Sequence, residues 1–250
     1  EYIPPNEGRN VPFHTDLSSS YPPGTPAGLR GEAIRSALRS GRCIGWNLAA
    51  TPLECGLIKV SGKGTLEFLN NKFTQSFDSS AQFKEACLLT SRGRLIDRVG
   101  IAIQDAETAY ILTSPGHKSK KLFDRLDPFI FPLDQVKLDD LAPSIFTLAS
   151  IKRHDVQTCF DDFILPQIGT STGVKLPSRN GFVCMKLAQG TLCIFPSSGL
   201  PSCAGEGFTF CFVGDTVGEQ VWRHLVSDDC PEGPIEAGAL EFEALRIETG

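Results

Sequence analysis

The sequence predicts an α+β domain built as duplicated antiparallel sheet-plus-helix layers. Short apolar runs of strand character recur along residues 44–250, punctuated by clusters of Gly, Pro, Ser and Asp. Both halves close on a strand followed by a helix, Tyr110 to Ile130 in one and Phe208 to Val226 in the other. A length of 250 residues with 41% hydrophobic residues suffices to bury a large core unaided by disulfides or metal.

Residues 1–31 hold six prolines, Pro4, Pro5, Pro12, Pro22, Pro23 and Pro26, with Ser18-Ser19-Ser20 and few aliphatics, which predicts a tail outside the core. The domain then occupies residues 32–250, as pseudo-repeated halves of about 44–140 and 141–250. Leu57 to Val60 reads as a strand, and Ser61-Gly62 turns the chain into a helix bearing Leu66, Leu69, Phe73 and Phe77. Ala86 to Thr90 and Val99 to Gln104 are strands on either side of the turn Ser91-Arg92-Gly93-Arg94, and Tyr110 to Thr113 is a third. Ser114-Pro115 has the cap-plus-proline form of a helix start, with Leu122, Leu126, Phe129 and Ile130 on one face. In the second half, strands are expected at Ile145 to Leu148, Phe182 to Leu187, Leu192 to Phe195 and Phe208 to Val213, and a helix at Val156 to Phe163. Thr216-Val217-Gly218-Glu219 has capping-box spacing ahead of Val221, Trp222 and Leu225, and a last helix is expected from about Ile235, with Leu240, Ala244 and Ile247 inward.

Several function classes are disfavoured at once. A net charge of −5 gives no general attraction to nucleic acid or anionic lipid. The uncharged run Leu187 to Gly205 contains Pro196, Pro201, serines and glycines and cannot span lipid as a helix, so a soluble protein is expected. The nine cysteines are odd in number and form no C-x-x-C pair, so neither a disulfide framework nor a metal site is expected. Cys87, Cys184, Cys193 and Cys211 lie in apolar runs as small buried hydrophobes, and a reducing compartment is the expectation. The sole methionine is Met185 and the chain begins at Glu1, consistent with a targeting segment removed upstream.

Gly56 to Gly64 imitates a phosphate loop, but its spacing is one residue too long and Gly64 stands where a metal-binding Ser or Thr is needed. Gly169-Thr170-Ser171-Thr172-Gly173, with Asp215 and His224 downstream, imitates a hydrolase elbow, but Pro177 and the polar run after it offer no helix to supply oxyanion donors. His14, His117 and His154 lack ligand spacing and are expected to face solvent. Two acids stand out. Asp97 sits at the mouth of an apolar strand, where its structural role would be an ion pair with Arg94 or Arg98. Glu248 lies in the closing turn of the last helix, as a solvated carboxylate or a functional one, in a place that the helix dipole disfavours for an acid.

At these residues the chain resembles the folate-binding T-protein superfamily, meaning the glycine-cleavage aminomethyltransferase GcvT and its YgfZ-type relatives, the iron–sulfur-cluster assembly factors. Leu57 to Gly62 with Phe68-Leu69 is similar to the family's V-S-G…F-L, and Leu88 to Asp97 to its L-L-x-P-K-G-R segment. Tyr110-Ile111-Leu112, Gly205 to Thr209 with Val221-Trp222, and Leu245 to Gly250, similar to L-R-I-E-A-G, continue the match in order. GcvT tends to have G-G-x-x-D-D where this chain has Gly93-Arg94-Leu95-Ile96-Asp97-Arg98, so the signature leans to the YgfZ type, and Arg98 replaces the second acid.

The resemblance implies that Asp97 and Glu248 face a central folate cavity, with Val99 and Phe208 as walls for the pteridine ring and tetrahydrofolate as cofactor. One carboxylate such as Glu248 can accept both the pterin 2-amino group and N3–H, and Asp97 can orient the folate amine that bears the one-carbon unit. An aromatic ring near Phe208 would add stacking. The family's K-G-C-[YF]-x-G-Q-E motif has no counterpart here, since no cysteine follows Lys-Gly. The expectation is a chain truncated before that motif, or else a relative that lost its reactive half. The function implied is a YgfZ-like folate-binding protein of an organelle matrix, chloroplast stroma ahead of mitochondrion, supporting assembly or repair of iron–sulfur proteins, with those clients or a larger complex as partners. A catalytically silent subunit docking in a larger organellar assembly is one alternative. A folate-dependent aminomethyl or one-carbon transferase is the other, and Arg98 in place of the second acid counts against it.

Overall fold

A computed structural model describes residues 27–49, 54–141, 143–170, 173–188, 190–196, 206–214, 216–227, 229–238 and 241. Its elements in order are α1 (Ala27–Arg39), β1 (Ile44–Asn47), β2 (Leu57–Ser61), α2 (Thr65–Lys72), β3 (Gln82–Leu89), β4 (Leu95–Asp105), β5 (Thr108–Leu112), α3 (Ser119–Leu126) and β6 (Lys137–Leu141). The second half follows with β7 (Ser144–Ser150), α4 (Arg153–Cys159) running on into a π-helical turn (Phe160–Ile164), β8 (Val183–Leu187), β9 (Gly190–Pro196), β10 (Glu206–Val213), α5 (Val217–Leu225) and β11 (Ile235–Glu236).

The duplication expected from the sequence is present and can be read strand by strand. From β2 to β6 and from β7 to β11 the chain twice runs strand, helix, three strands, helix, strand. The first run builds a sheet ordered β3-β4-β5-β2-β6, and the second builds β8-β9-β10-β7. Next to β7, where the repeat would place its last strand, the second sheet admits β1, antiparallel to β7, and β11 joins outside it in parallel.

Three apolar layers result. Between the sheets pack Leu57, Phe83, Ala102 and Tyr110 from one and Trp46, Ile145, Cys193, Phe195 and Cys211 from the other, with Ile34 and Leu38 of α1 at the margin. Outside the first sheet, Val99, Ile101, Ile103 and Ile111 meet Phe68 and Leu69 of α2 and Leu122 and Leu126 of α3. Outside the second, Phe146, Phe208, Phe210 and Phe212 meet Val156 and Phe160 on one side and Val221, Trp222 and Leu225 of α5 on the other. Strands covered on both faces are apolar at successive positions, and so β7 is buried at six consecutive residues, Ile145 to Ser150.

Some elements differ from the sequence expectation. Helix α3 begins at Ser119 and not at Ser114-Pro115. Ser114 instead donates its hydroxyl to the Arg98 carbonyl, which ties the turn after β5 to β4. The segment at Ile235 is a strand and not a helix start, because the backbone edge of β1 captures it. Ile235 N–H donates to Cys43 O at 2.9 Å and Ala237 N–H to Gly45 O at 2.8 Å. The Arg42 guanidinium fixes the approach by donating to Pro231 O at 3.1 Å and Gly233 O at 2.9 Å. Helix α1 starts at Ala27, inside the stretch read as tail. Thr216 does precede a helix, but with helix-like torsions of φ −75° and ψ −4° in place of the extended ones of a capping box. Among the described residues no helix is long and apolar enough to cross a membrane.

Candidate functional site

The sequence around Asp97 builds its own socket. Thr90 N–H donates to Arg94 O at 2.8 Å, Arg94 N–H to Thr90 Oγ1 at 3.0 Å and Gly93 N–H to Thr90 O at 2.9 Å, closing the β3–β4 hairpin over a left-handed Gly93 with φ 74°. Just inside it the register slips: Leu88 opposes Asp97 while Leu89 opposes Leu95, so Ile96 is the extra residue of a bulge. A bulge re-aims the neighbouring side chain. From there alternation puts Asp97, Val99, Ile101 and Ile103 on the helix side of the sheet, with Gly100 and Ala102 on the inner side.

Asp97 is buried, its side chain only 5% exposed, and its partner is neither arginine proposed from the sequence. Its Oδ1 lies 2.7 Å from Nδ1 of His117, a ring about half exposed. His117 was expected to face solvent, and the structure shows a ring that is half exposed and paired with Asp97. Arg98, one residue on, projects away from Asp97 and pairs with Glu85 across the β3–β4 ladder. The second acid of the GcvT-type pattern is thus replaced by a cation that is already engaged.

The turn carrying His117 is held from three sides. Its own N–H donates to Ser114 O at 2.9 Å, Gly116 N–H donates to Glu54 O at 3.1 Å, and the Thr113 hydroxyl donates to the His117 carbonyl. Thr113 Oγ1 also accepts from Gly56 N–H at 2.8 Å. Gly56, the first glycine of the phosphate-loop imitation, serves packing: a Cβ there would stand 2.2 Å from Cβ of Ser119, at the start of α3. The loop is a seat for a helix.

The carboxylate faces Nδ1, and in the neutral tautomer that donates from Nδ1–H the lone pair lies on Nε2. That is the arrangement of a general base whose tautomer and orientation are fixed by an acid behind it. Around the pair, Ile96, Lys118, Lys121 and Leu122 line a cavity of about 10 Å³, the size of one water. Lys118 Nζ is held 2.8 Å from Glu54 Oε2. Burial, then the Asp97 and Glu54 carboxylates, push the Cys55 thiol far above its ordinary range, so it is no nucleophile here.

Of the other residues singled out from the sequence, Val99 is enclosed in the core between the first sheet and its helices. Phe208 is enclosed in the corresponding core of the second sheet, with the Arg153 guanidinium 4.9 Å from its ring centre. The structure therefore joins Asp97 to His117 and leaves Val99 and Phe208 in separate layers. Glu248 lies outside the described residues, as do Ser171, Thr172, Asp215, His14, Cys203, Leu240, Ala244 and Ile247. Cys193 and Cys211 are buried as expected, whereas Cys87 and Cys184 are half-buried.

A larger opening escaped the sequence reading. About 240 Å³ lies between the end of β1, the start of β7 and α5, lined by Asn47, Ser144, Phe146, Glu219, Trp222 and Arg223. No motif spacing marks it, since its walls come from three distant segments. Among the described residues no group of three or more His, Cys, Asp and Glu could hold a metal ion.

No family model matches the chain. It is 27% identical over 200 residues to a curated Arabidopsis thaliana protein named "Putative transferase At1g60990, chloroplastic", a match covering 78% of this chain and 42% of that protein. Among solved structures, that of glycine cleavage system aminomethyltransferase T from Bartonella henselae superposes with a TM-score of 0.63 at 16% identity, over 86% of this chain and 54% of that one. The chain thus spans about half the length of the proteins it matches. Two sheets, each duplicated from one plan and backed by helices, are the fold that this protein shares with an aminomethyltransferase of glycine cleavage.

Proposed function

We propose that the protein binds a reduced folate, tetrahydrofolate or a one-carbon derivative, and supports assembly or repair of iron–sulfur proteins in an organelle matrix, the chloroplast stroma ahead of the mitochondrion. The observation that carries the folate reading is the buried Asp97 carboxylate held by His117, in a fold shared with an aminomethyltransferase. In this reading Asp97, in the wall of the cavity it shares with His117, accepts a hydrogen bond from the folate amine. Glu248 takes the two parallel donors of the pterin. Lys121 at the rim supplies positive charge for the glutamyl carboxylates. Val99 and Phe208, enclosed in separate cores, are given no ring contact. The chloroplastic relative supports the stroma.

Calorimetric titration of tetrahydrofolate and 5-formyltetrahydrofolate into the wild type, Asp97→Asn and Glu248→Gln tests the site. Loss of one charge-assisted hydrogen bond is expected to weaken binding about tenfold or more in either variant. Equal affinity in all three proteins removes the folate reading. Restoration of iron–sulfur enzyme activity in cells lacking the protein, by the wild type and not by Asp97→Asn, tests the physiological role.

A second reading, one-carbon transfer, is favoured by one observation: the carboxylate-oriented His117 has the form of a general base. It predicts that His117→Ala keeps folate affinity and loses most transfer rate in a coupled assay. An unchanged rate returns the protein to the accessory role.

A further inference from the structure

On the second sheet, away from Asp97, Cys184 of the outermost strand β8 and Cys193 of β9 stand directly opposite each other in antiparallel register, with their sulfurs 3.6 Å apart. We propose that this pair is a thiol–disulfide exchange site, in which Cys184 reacts with a low-molecular-weight disulfide and Cys193 then closes a cross-strand disulfide. Directly opposed residues of an antiparallel pair have Cα atoms about 4.5–5.5 Å apart, inside the range a disulfide bridges, so side-chain rotation closes the sulfurs to about 2.0 Å with both strands in place.

The two sulfurs differ in what they can meet. Cys184 is half-buried on the outermost strand, whereas Cys193 is fully enclosed between the sheets. The Tyr110 hydroxyl, reaching across from β5 of the first sheet, lies 3.8 Å from Cys184 Sγ. Hydrogen bonding from Cys193, then from Tyr110, with Lys59 adding a favourable charge, favours the Cys184 thiolate, while Cys193 holds its proton. One sulfur is disposed to attack, and its neighbour to resolve.

The chemistry balances with the disulfide as sole oxidant. The Cys184 thiolate attacks one sulfur of RSSR, forming the mixed disulfide and expelling RS⁻, which takes a proton from solvent. Cys193 then loses its proton, attacks Cys184 Sγ, and expels the second RS⁻, which is protonated in turn. Two protein thiols and RSSR become one protein disulfide and two RSH. Cys43 and Cys159, which also neighbour each other, are both buried and stay reduced in the folded protein.

The test incubates the folded wild-type chain with oxidised glutathione, quenches with an alkylating agent and maps peptides. Trypsin cuts at Lys186, between the two cysteines, so a bridge joins two peptides. The expected product is a Cys184–Cys193 link with an intact mass lower by two hydrogens, reversed by reductant. Cys193→Ala should halt at a glutathione adduct on Cys184, and Cys184→Ser should leave Cys193 reduced. In the wild type, brief iodoacetamide treatment should label Cys184 about tenfold or more faster than Cys193, a measurement that depends on no variant folding. Cys193 labelling as fast as Cys184, an adduct on Cys193 in Cys184→Ser, or wild type that remains fully reduced under an excess of oxidised glutathione would overturn the assignment. Folate binding plays no part in the readout.

Discussion

Asp97 and Arg98 show how far one residue step carries a side chain in a strand. Successive side chains leave a sheet on opposite faces, so the acid and the arginine beside it cannot meet, and Arg98 finds Glu85 instead. Alternation alone could have excluded that pairing from the sequence. His117 was not legible in the same way, because it reaches Asp97 through a turn fixed by hydrogen bonds to Glu54, Gly56 and Arg98, none of which has a sequence signature. Thr113 is the hub of that turn, accepting from Gly56 N–H and donating to His117 O. Thr113→Val keeps the shape and removes both bonds, leaving a buried backbone donor unpaired at a cost of about 1–3 kcal/mol. Calorimetry should show a fall in Tm of several degrees, and the His117–Asp97 pair should loosen, seen as a narrower spread of His117 ring shifts in NMR. An unchanged Tm would mean that the turn is held without Thr113.

At the scale of elements, eight of the described strands were legible, since apolar runs bounded by Gly, Pro and Ser survive either packing environment, whereas β1 and β6 were not read and β11 was read as a helix start. Helix starts were less legible. Ser114-Pro115 carries the local chemistry of a start, yet Ser114 serves β4 and α3 begins at Ser119, so the tertiary bond overrode the local preference. The phosphate-loop imitation has a comparable explanation. Gly62 holds φ 120° and a Cβ there would meet Gln135 O at 1.9 Å, while Gly56 gives α3 its seat, so close packing accounts for both glycines. Gly56→Ala should therefore push the first turn of α3 outward, costing about 1–3 kcal/mol as overpacking does, and should displace the turn that carries His117. Hydrogen exchange would read the effect as lost protection in α3 with the second sheet unchanged. Uniform loss across both sheets would mean that the seat is not local.

For the whole molecule, the central layer is what the sequence told least about, because strands covered on both faces lose their alternation and no single strand shows which sheet it faces. That layer also concentrates thiols: Cys55, Cys193 and Cys211 are buried in it beside Tyr110. Burial pushes the Cys55 and Cys211 thiols well above their ordinary range, and burial with the neighbouring thiols pushes up the Tyr110 hydroxyl. A group whose pKa is raised in the folded state keeps its proton there after the unfolded chain has released it. The unfolded state then binds fewer protons, and stability falls as pH rises. The stabilisation is complete below about pH 8.5, the unfolded thiol value, and is lost above it at about 1.4 kcal/mol per pH unit for each such thiol. Cys184, whose thiolate is favoured in the fold, works in the opposite sense below that pH. Urea midpoints measured under reducing conditions should hold level or rise slightly from pH 6 to 8 and decline steeply from pH 9 to 10.5. Replacing Cys55 and Cys211 with alanine should lower the neutral midpoint by opening cavities, yet flatten the alkaline decline, because those two proton differences are gone. A double variant whose decline is as steep as the wild type's would locate the alkaline sensitivity in groups other than Cys55 and Cys211.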